Sequence, residues 1–473
     1  MFRCSWTRSS ECQRTGQSSH VQVRSDALAA LLAIATAGCA ATAPPGPREP
    51  VPPVTGSPSA TLPVVAQPPP VRDSDSVADD FLKALQARDA ARARALGDTA
   101  VKQALPEEKL AAIIDSQVAE LGPLRSWRVV QRTQQGGKDV RVARLEFERG
   151  QLQALVAVDP KTLEVAGIFF TDVPAAASPA AYVDASKFRE EAASVGAAPF
   201  VLPGTLSLPA GAGPFPGVVL VHGSGPNDRD ETIAANKPFK DLAEGLASRG
   251  VSVLRYDKRT LTHGKRLTSG ISLDEEVVVD AVAAVQLLRQ RPEVDARRLY
   301  VIGHSLGALL APEIALRAEP VAGAVLLAPP GRAPWDVVLG QMRHLELPRE
   351  QLTAVEKTAE QFRAGRFEGE LLGAPGSYWR EWAARDGVAM SKKLHKPLLI
   401  LRGDRDYQIT EADLATWKKG LAGVRDVEIS TIPGNNHLFI QGTGKPGPAE
   451  YTVPGHVDPA VIERIVSFVT QAR

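Results

Sequence analysis

The sequence predicts an α/β fold: a mostly parallel sheet wound with helices, interrupted by one long insertion and preceded by a small α+β unit. Three observations carry that expectation. Apolar runs of strand length recur at residues 217–221, 251–255, 299–302, 324–328, 397–402 and 427–432, with longer segments between them, as parallel strands buried on both faces require. Residues 331–396 interrupt the alternation between two of these runs. Ahead of them, residues 77–118 carry helical periodicity and 127–170 carry strand runs separated by turn residues, the order of an α+β unit.

The chain has 473 residues, with 55 basic against 54 acidic ones. That balance argues against nucleic acid or an anionic membrane surface as principal partner. All three cysteines, Cys4, Cys12 and Cys39, fall within residues 1–39, so the rest of the chain folds by packing without disulfides. Arg24 precedes an apolar run over 27–37 that closes in Thr36-Ala37-Gly38-Cys39. The run is too short to span a bilayer as a helix. It resembles the lipobox of bacterial lipoproteins. That resemblance implies a signal peptide over 1–39, acylation of Cys39 and an envelope enzyme anchored to the membrane, facing the periplasm or exterior. Translation from Val21 or Val23 would make the stretch a leader. The alternative is a cytoplasmic enzyme with a flexible tail.

Residues 40–76 are rich in Pro, Ala, Ser and Thr and read as a disordered tether reaching on the order of 100 Å when extended. Residues 77–173 form the small unit. One helix is expected over 77–96, with Val77, Phe81 and Leu85 on one face. Another opens at Pro106-Glu107-Glu108 and carries Leu110, Ile113, Ile114 and Val118. Strands are expected at 127–133, 139–147, 152–158 and 165–170, joined at Gly136-Gly137, Arg149-Gly150 and Asp159-Pro160. Two helices followed by an antiparallel sheet suggest a cone like that of nuclear transport factor or ketosteroid isomerase. No acid–base set is visible there, so a spacer, dimerisation or substrate-presenting role is expected, with Trp127 in its core. Residues 174–196 read as a linker and 197–473 as the main domain. Within it, 200–208 alternates like an antiparallel strand, 273–289 is a crossover helix with Val278, Val282, Val285 and Leu288 on one face, and 459–472 is the last helix.

The chemistry concentrates at strand ends. Leu299-Tyr300-Val301-Ile302 runs into Gly303-His304-Ser305-Leu306-Gly307, and an apolar helical stretch follows. A strand-to-helix turn this sharp needs glycines at both flanks and lifts Ser305 above the sheet. The Leu306 N–H then faces a developing oxyanion. The strand over 397–402 ends in Gly403-Asp404-Arg405-Asp406, and the one over 427–432 is followed by Pro433-Gly434-Asn435-Asn436-His437. A serine hydroxyl needs a base to take its proton, and that base needs a carboxylate to hold its tautomer. Ser305, His437 and one of Asp404 or Asp406 fill those roles. A second oxyanion donor should come from an earlier loop: the run 217–221 leads into His222-Gly223-Ser224-Gly225-Pro226, which resembles the His-Gly loop of esterases, and that resemblance implies the Ser224 N–H. His222 shapes this loop or borders the substrate. Ser224 as the nucleophile lacks the strand-to-helix turn, and His456 is the competitor of His437. The acidic stretch Asp228-Arg229-Asp230-Glu231 is expected to form salt bridges with Arg255, Lys258 and Arg259. No spacing suggests a metal site, and no cofactor is expected.

The order Ser, Asp, His, the serine turn and the His-Gly loop resemble the α/β-hydrolases over residues 197–473. The Gly-x-x-Asp pattern seen there points to Asp406. The runs 222–231 and Arg255-Tyr256-Asp257-Lys258-Arg259 look like a bacterial subgroup loosely related to dienelactone hydrolases and acyl peptidases. Dienelactone hydrolases carry cysteine where this chain has Ser305, and a front unit of this size is no β-propeller. The small unit is similar to a bacterial domain of unknown function found before such hydrolases. The resemblance implies a cap at 331–396, with Trp335, Tyr378, Trp379 and Trp382 lining the acyl pocket or packing on the core. It implies a serine hydrolase acting on a small-molecule carboxylic ester through an acyl-enzyme. A peptidase or amidase would use the same residues. A catalytically retired envelope binding protein is the reading outside enzymes.

Overall fold

The computed structural model describes residues 72–135, 138–172, 178–264, 267, 271–371 and 374–471. Cys39, the lipobox-like run, residues 40–71 of the expected tether and the Gly136-Gly137 turn lie outside the described residues.

In the small unit, helices α1 (Ser74–Gln86), α2 (Ala90–Ala95), α3 (Thr99–Ala104) and α4 (Glu107–Leu121) precede strands β1 (Leu124–Gln135), β2 (Lys138–Phe147), β3 (Gln151–Asp159) and β4 (Glu164–Asp172). The strands pair as an antiparallel meander in chain order. Helix α1 begins inside the stretch expected as tether, because Asp73 and Ser76 cap it reciprocally. The single helix expected over 77–96 is broken. Arg88 adopts a φ of 57°, and the Asp89 carboxylate takes the Arg92 N–H to start α2. Phe81, Leu82, Leu110 and Ile114 pack against Leu145, Val156 and Val165 of the sheet, and Trp127 joins this core partly buried.

The larger unit is built on an eight-stranded sheet ordered β14-β13-β10-β9-β7-β8-β6-β5. Its strands are β5 (Phe188–Val195), β6 (Leu202–Pro209), β7 (Phe215–Val221), β8 (Ser252–Tyr256), β9 (Val294–His304), β10 (Gly323–Leu327), β13 (Leu398–Gly403) and β14 (Val427–Ile432). Every pairing from β8 through β14 is parallel, whereas β5 and β6 join antiparallel. Strand β5 falls within the stretch expected as linker. Its Arg189, Glu190 and Glu191 give it the charged sequence of a protected edge strand.

Helices α5 (Pro238–Ala247), α6 (Arg259–His263), α7 (Val279–Arg289, entered through a π-helical turn at Asp274–Val278) and α8 (Leu306–Arg317) connect the strands. Val218 to Val221, Val301, Ile302 and Leu398 to Leu401 are buried throughout. Each such side chain contributes roughly 1.5–3 kcal/mol relative to exposure, so this sheet is a stiff platform for the loops at its strand ends. Between β10 and β13 come α9 (Pro334–His344), α10 (Arg349–Arg363), a short hairpin of β11 (Glu370–Leu371) and β12 (Ala374–Pro375), α11 (Gly376–Ala383) and α12 (Gly387–Leu394). Helix α12 packs on α8, so the end of the expected cap belongs to the crossover layer. Helices α13 (Glu411–Gly420) and α14 (Pro459–Thr470) complete the unit. Among the described residues no helix is long and apolar enough to cross a membrane.

Candidate active site

Ser305 stands between β9 and α8 with φ 52° and ψ −115°. A non-glycine residue pays on the order of 1–3 kcal/mol for such a backbone, so its surroundings must over-determine it. They do. The Ser305 N–H donates to the Leu327 carbonyl at 2.9 Å, and its own carbonyl accepts from Ala308 and Leu309. A β-carbon at Gly303 would strike the Gly307 backbone, and one at Gly307 would strike the Val221 and His222 carbonyls. The turn is thus wedged against the end of β7. Leu306 opens α8, where first-turn amides lack intrahelical acceptors. Among the described residues neither the Leu306 nor the Ser224 N–H meets an acceptor.

The aspartate that meets His437 is Asp406. His437 Nδ1 lies 2.7 Å from Asp406 Oδ2, and both side chains are buried. Asp406 Oδ1 accepts from the Gln408 and Ile409 N–H groups at 2.8 and 2.9 Å. Asp404 instead accepts from the Gly434 N–H at 2.7 Å, a turn contact. Asn436 Oδ1 accepts from the Leu438 and Ile440 N–H groups, which shapes the loop that carries His437. This loop is stitched to the serine turn: His304 Nε2 donates to the His437 carbonyl at 3.0 Å, and the two rings lie 4.6 Å apart. No hydrogen bond joins His437 to the Ser305 hydroxyl. Such bonds are often long without substrate.

The loop after β7 rests on buried charge. Gly223 lies against the serine, a β-carbon there being 3.3 Å from Ser305 Cβ. Its N–H donates to Glu231 Oε1 at 2.7 Å. Glu231 Oε2 lies 3.0 Å from His304 Nδ1, off the line of a hydrogen bond. Burial alone would raise the Glu231 carboxyl, yet His304 and the Gly223 N–H outweigh it and hold it below the usual range. His304 is raised: burial disfavours its cation, and Glu231 more than compensates. His222 packs between Phe239 and Tyr256 with Nε2 3.0 Å from the Asp228 carbonyl. Burial lowers it to about 4, so it is neutral and shapes the loop from beneath.

The acidic stretch pairs otherwise than expected. Asp230 does meet Arg255 at 3.0 Å. Lys258 and Arg259, however, pair with Glu276 and Asp280, and Arg229 makes a fork to Asp257. These partners come from the π-helical turn, α7 and the segment after β8, and spacing along the acidic stretch carries no sign of them. Three further histidines are placed elsewhere. His456 faces Asp241, His344 stacks on Tyr407 and His263 lies against Phe200. Among the described residues no group of three or more His, Cys, Asp or Glu is arranged to hold a metal ion.

Trp379 and Trp382 stack in the cap, with Tyr378 edge-on to both, while Trp335 stacks on Phe362. All four belong to, or pack on, the apolar core that also holds Leu306 and Leu310. The Trp379 indole donates to the Leu371 carbonyl, whereas the buried indole N–H groups of Trp335 and Trp382 find no acceptor among the described residues.

Comparison with known proteins gives the family. Esterase EstD of Thermotoga maritima is 40% identical over 379 residues, which span 78% of this chain and 89% of the relative. Residues 218–446 match the Alpha/beta hydrolase family. The chain belongs to the alpha/beta hydrolase family. Solved structures similar to this hydrolase include Est1E from Butyrivibrio proteoclasticus, 19% identical with a TM-score of 0.39, over 59% of this chain and 99% of that one. A Mycobacterium tuberculosis puromycin-hydrolyzing peptidase is 20% identical with a TM-score of 0.42, over 74% of this chain and 48% of that one.

Proposed function

We propose that this hydrolase is a serine esterase that cleaves small-molecule carboxylic esters through an acyl-enzyme. The observation that carries the reading is the buried Asp406–His437 pair, stitched through His304 to a strained Ser305. The 40% identity to a protein named as an esterase supports the ester class. Ser305 Oγ attacks the carbonyl carbon while His437 Nε2 takes its proton. Asp406, on Nδ1, holds the tautomer and stabilises the imidazolium. The oxyanion lies between the Ser224 and Leu306 N–H groups. Collapse of the tetrahedral intermediate expels the alcohol, protonated by His437. Water deprotonated by the same ring then releases the acid and restores Ser305.

The test is hydrolysis of p-nitrophenyl acetate, butyrate and octanoate by the full chain beside Ser305→Ala. A fall in kcat of roughly 10³-fold or more is expected, with fluorophosphonate labelling lost in the variant. Activity surviving in Ser305→Ala would overturn the reading, and faster cleavage of peptide anilides than of esters would move it to the amidase class.

We further propose that the enzyme is held at a membrane by acyl chains on Cys39. The apolar run ending in Thr36-Ala37-Gly38-Cys39 supports this. Palmitate incorporation that Cys39→Ala abolishes is the expected result, and labelling unchanged by that substitution would remove the anchor.

A further inference from the structure

We infer that Lys258, paired with Glu276, is a positioning residue that aims the Ser224 N–H at the reacting oxygen; the inference rests on the serine-esterase reading above. Lys258 follows β8, and its side chain is 2% exposed. Its ammonium donates to the Gly223 carbonyl at 2.8 Å and to Glu276 Oε1 at 2.6 Å. The Gly223 carbonyl and the Ser224 N–H are opposite ends of one planar trans peptide, so fixing one direction fixes the other. The Gly223 N–H is already held by Glu231, and Asn227 Nδ2 reaches the Gly223 carbonyl at 3.3 Å and that of Ser224 at 3.1 Å. With neighbouring groups bound in this way, the Ser224 N–H meets no acceptor among the described residues, and it follows directly on Gly223, which lies against Ser305.

The charge adds to the geometry. An ammonium on a peptide oxygen in a low-dielectric interior polarises the unit and makes its N–H a stronger donor. A buried Lys–Glu pair is weak as a stabilising device, because desolvation offsets its attraction. Its place on the back of an oxyanion peptide supplies a reason for it. Glu276 sits on the one π-helical turn among the described residues, Asp274–Val278, and such turns concentrate at functional sites. Burial, and then the charge of the Glu276 carboxylate, push the Tyr378 phenol of the cap up. The pair itself joins the loop after β7 to the π-helical turn that leads into α7.

The experiment uses the full chain with p-nitrophenyl butyrate as substrate, butylboronic acid as a tetrahedral anion and butyrate as a ground-state ligand. Lys258→Met is expected to lower kcat about 10- to 100-fold, below the 10²–10³ of losing an oxyanion donor outright. KM should stay within about threefold, boronate affinity should fall with kcat, and butyrate affinity should not change. Because Lys258→Met leaves Glu276 unpaired, Lys258→Met/Glu276→Gln is measured beside it and should show the same kcat loss. Rates are referred to the concentration of fluorophosphonate-reactive sites, which removes any unfolded fraction. Wild-type kcat and boronate affinity per reactive site in either variant would overturn the inference alone. Activity persisting in Ser305→Ala would overturn it together with the esterase reading.

Discussion

The two arms that converge on Ser305 are held by different forces. The acid–base arm, at the ends of β13 and β14, is fixed by local hydrogen bonds. Asp406 takes two amides from its own turn besides the His437 ring, and Asn436 takes two from the loop around His437. The oxyanion arm, at the ends of β7 and β8, is fixed by ions drawn from several segments: the buried Glu231, the buried Lys258 with Glu276, and the half-buried Arg229 with Asp257. Local amides fix a loop as soon as the turn forms. Buried ions fix it only when the whole unit has closed, and removal of one strands the other. The acid–base arm should therefore respond to substitution chiefly in turnover, with a stability loss confined to the amides it strands, and the oxyanion arm in folding as much as in turnover.

The largest expected effect lies on the first arm. Asp406→Asn retains the shape of the side chain but offers an amide N–H or a weaker acceptor to His437 Nδ1, which favours the wrong tautomer. A fall in kcat of about 10⁴-fold is expected, as for the equivalent change in serine proteases. Asp404→Asn should stay within about threefold, since its turn contact to Gly434 survives. Steady-state kinetics of the two variants settle which aspartate acts. A greater loss in Asp404→Asn would break the comparison at its root.

Asn436→Ala is the next step down. Two buried amides, those of Leu438 and Ile440, lose their acceptor, at roughly 1–3 kcal/mol of stability. The ring of His437 then has more room to wander, so kcat should fall about 10-fold while KM holds. Denaturant unfolding and kinetics on one preparation separate the two effects. Equal losses in kcat and KM would mean that Asn436 shapes the pocket rather than the base.

The same contrast explains what was legible in the sequence. The strands of the sheet are continuous apolar runs, and the serine turn needs Gly303 and Gly307 for reasons any backbone obeys, so both can be read directly. The loops of His437 and Asp406 follow strands that are equally plain. Spacing left Asp404 and Asp406 open, because both follow the same glycine; it is the Gly434 amide, from another strand end, that takes Asp404. The sequence of strand β5 does not separate strand from linker, because its charges suit a solvated edge as well as a loop. Lys258 and Glu276 lie 18 residues apart in the sequence, and neither has a pattern around it that announces the other. Their pairing is a property of the closed fold, as is that of Glu231 with His304.

The smallest expected effect concerns that last pair and is read in stability rather than turnover. His304 is raised in the folded protein, so its contribution is fully present below the ordinary histidine value of about 6.5 and is lost as pH rises through the folded value. Glu231 is lowered, so its contribution is present above the ordinary glutamate value of about 4.3 and is lost as pH falls through the folded value. The pair therefore contributes most in mildly acidic solution. Thermal melts of the full chain from pH 5 to 9, beside Glu231→Gln/His304→Gln, should show the gap in Tm widest near pH 6 and narrowing toward pH 9. Asp406→Asn/His437→Gln melts serve as the opposing arm, where the two turn amides on Asp406 remain bound. A gap for Glu231→Gln/His304→Gln that is flat with pH would mean that these two residues act by packing, and the oxyanion arm would then depend on Lys258 and Glu276 for its charge.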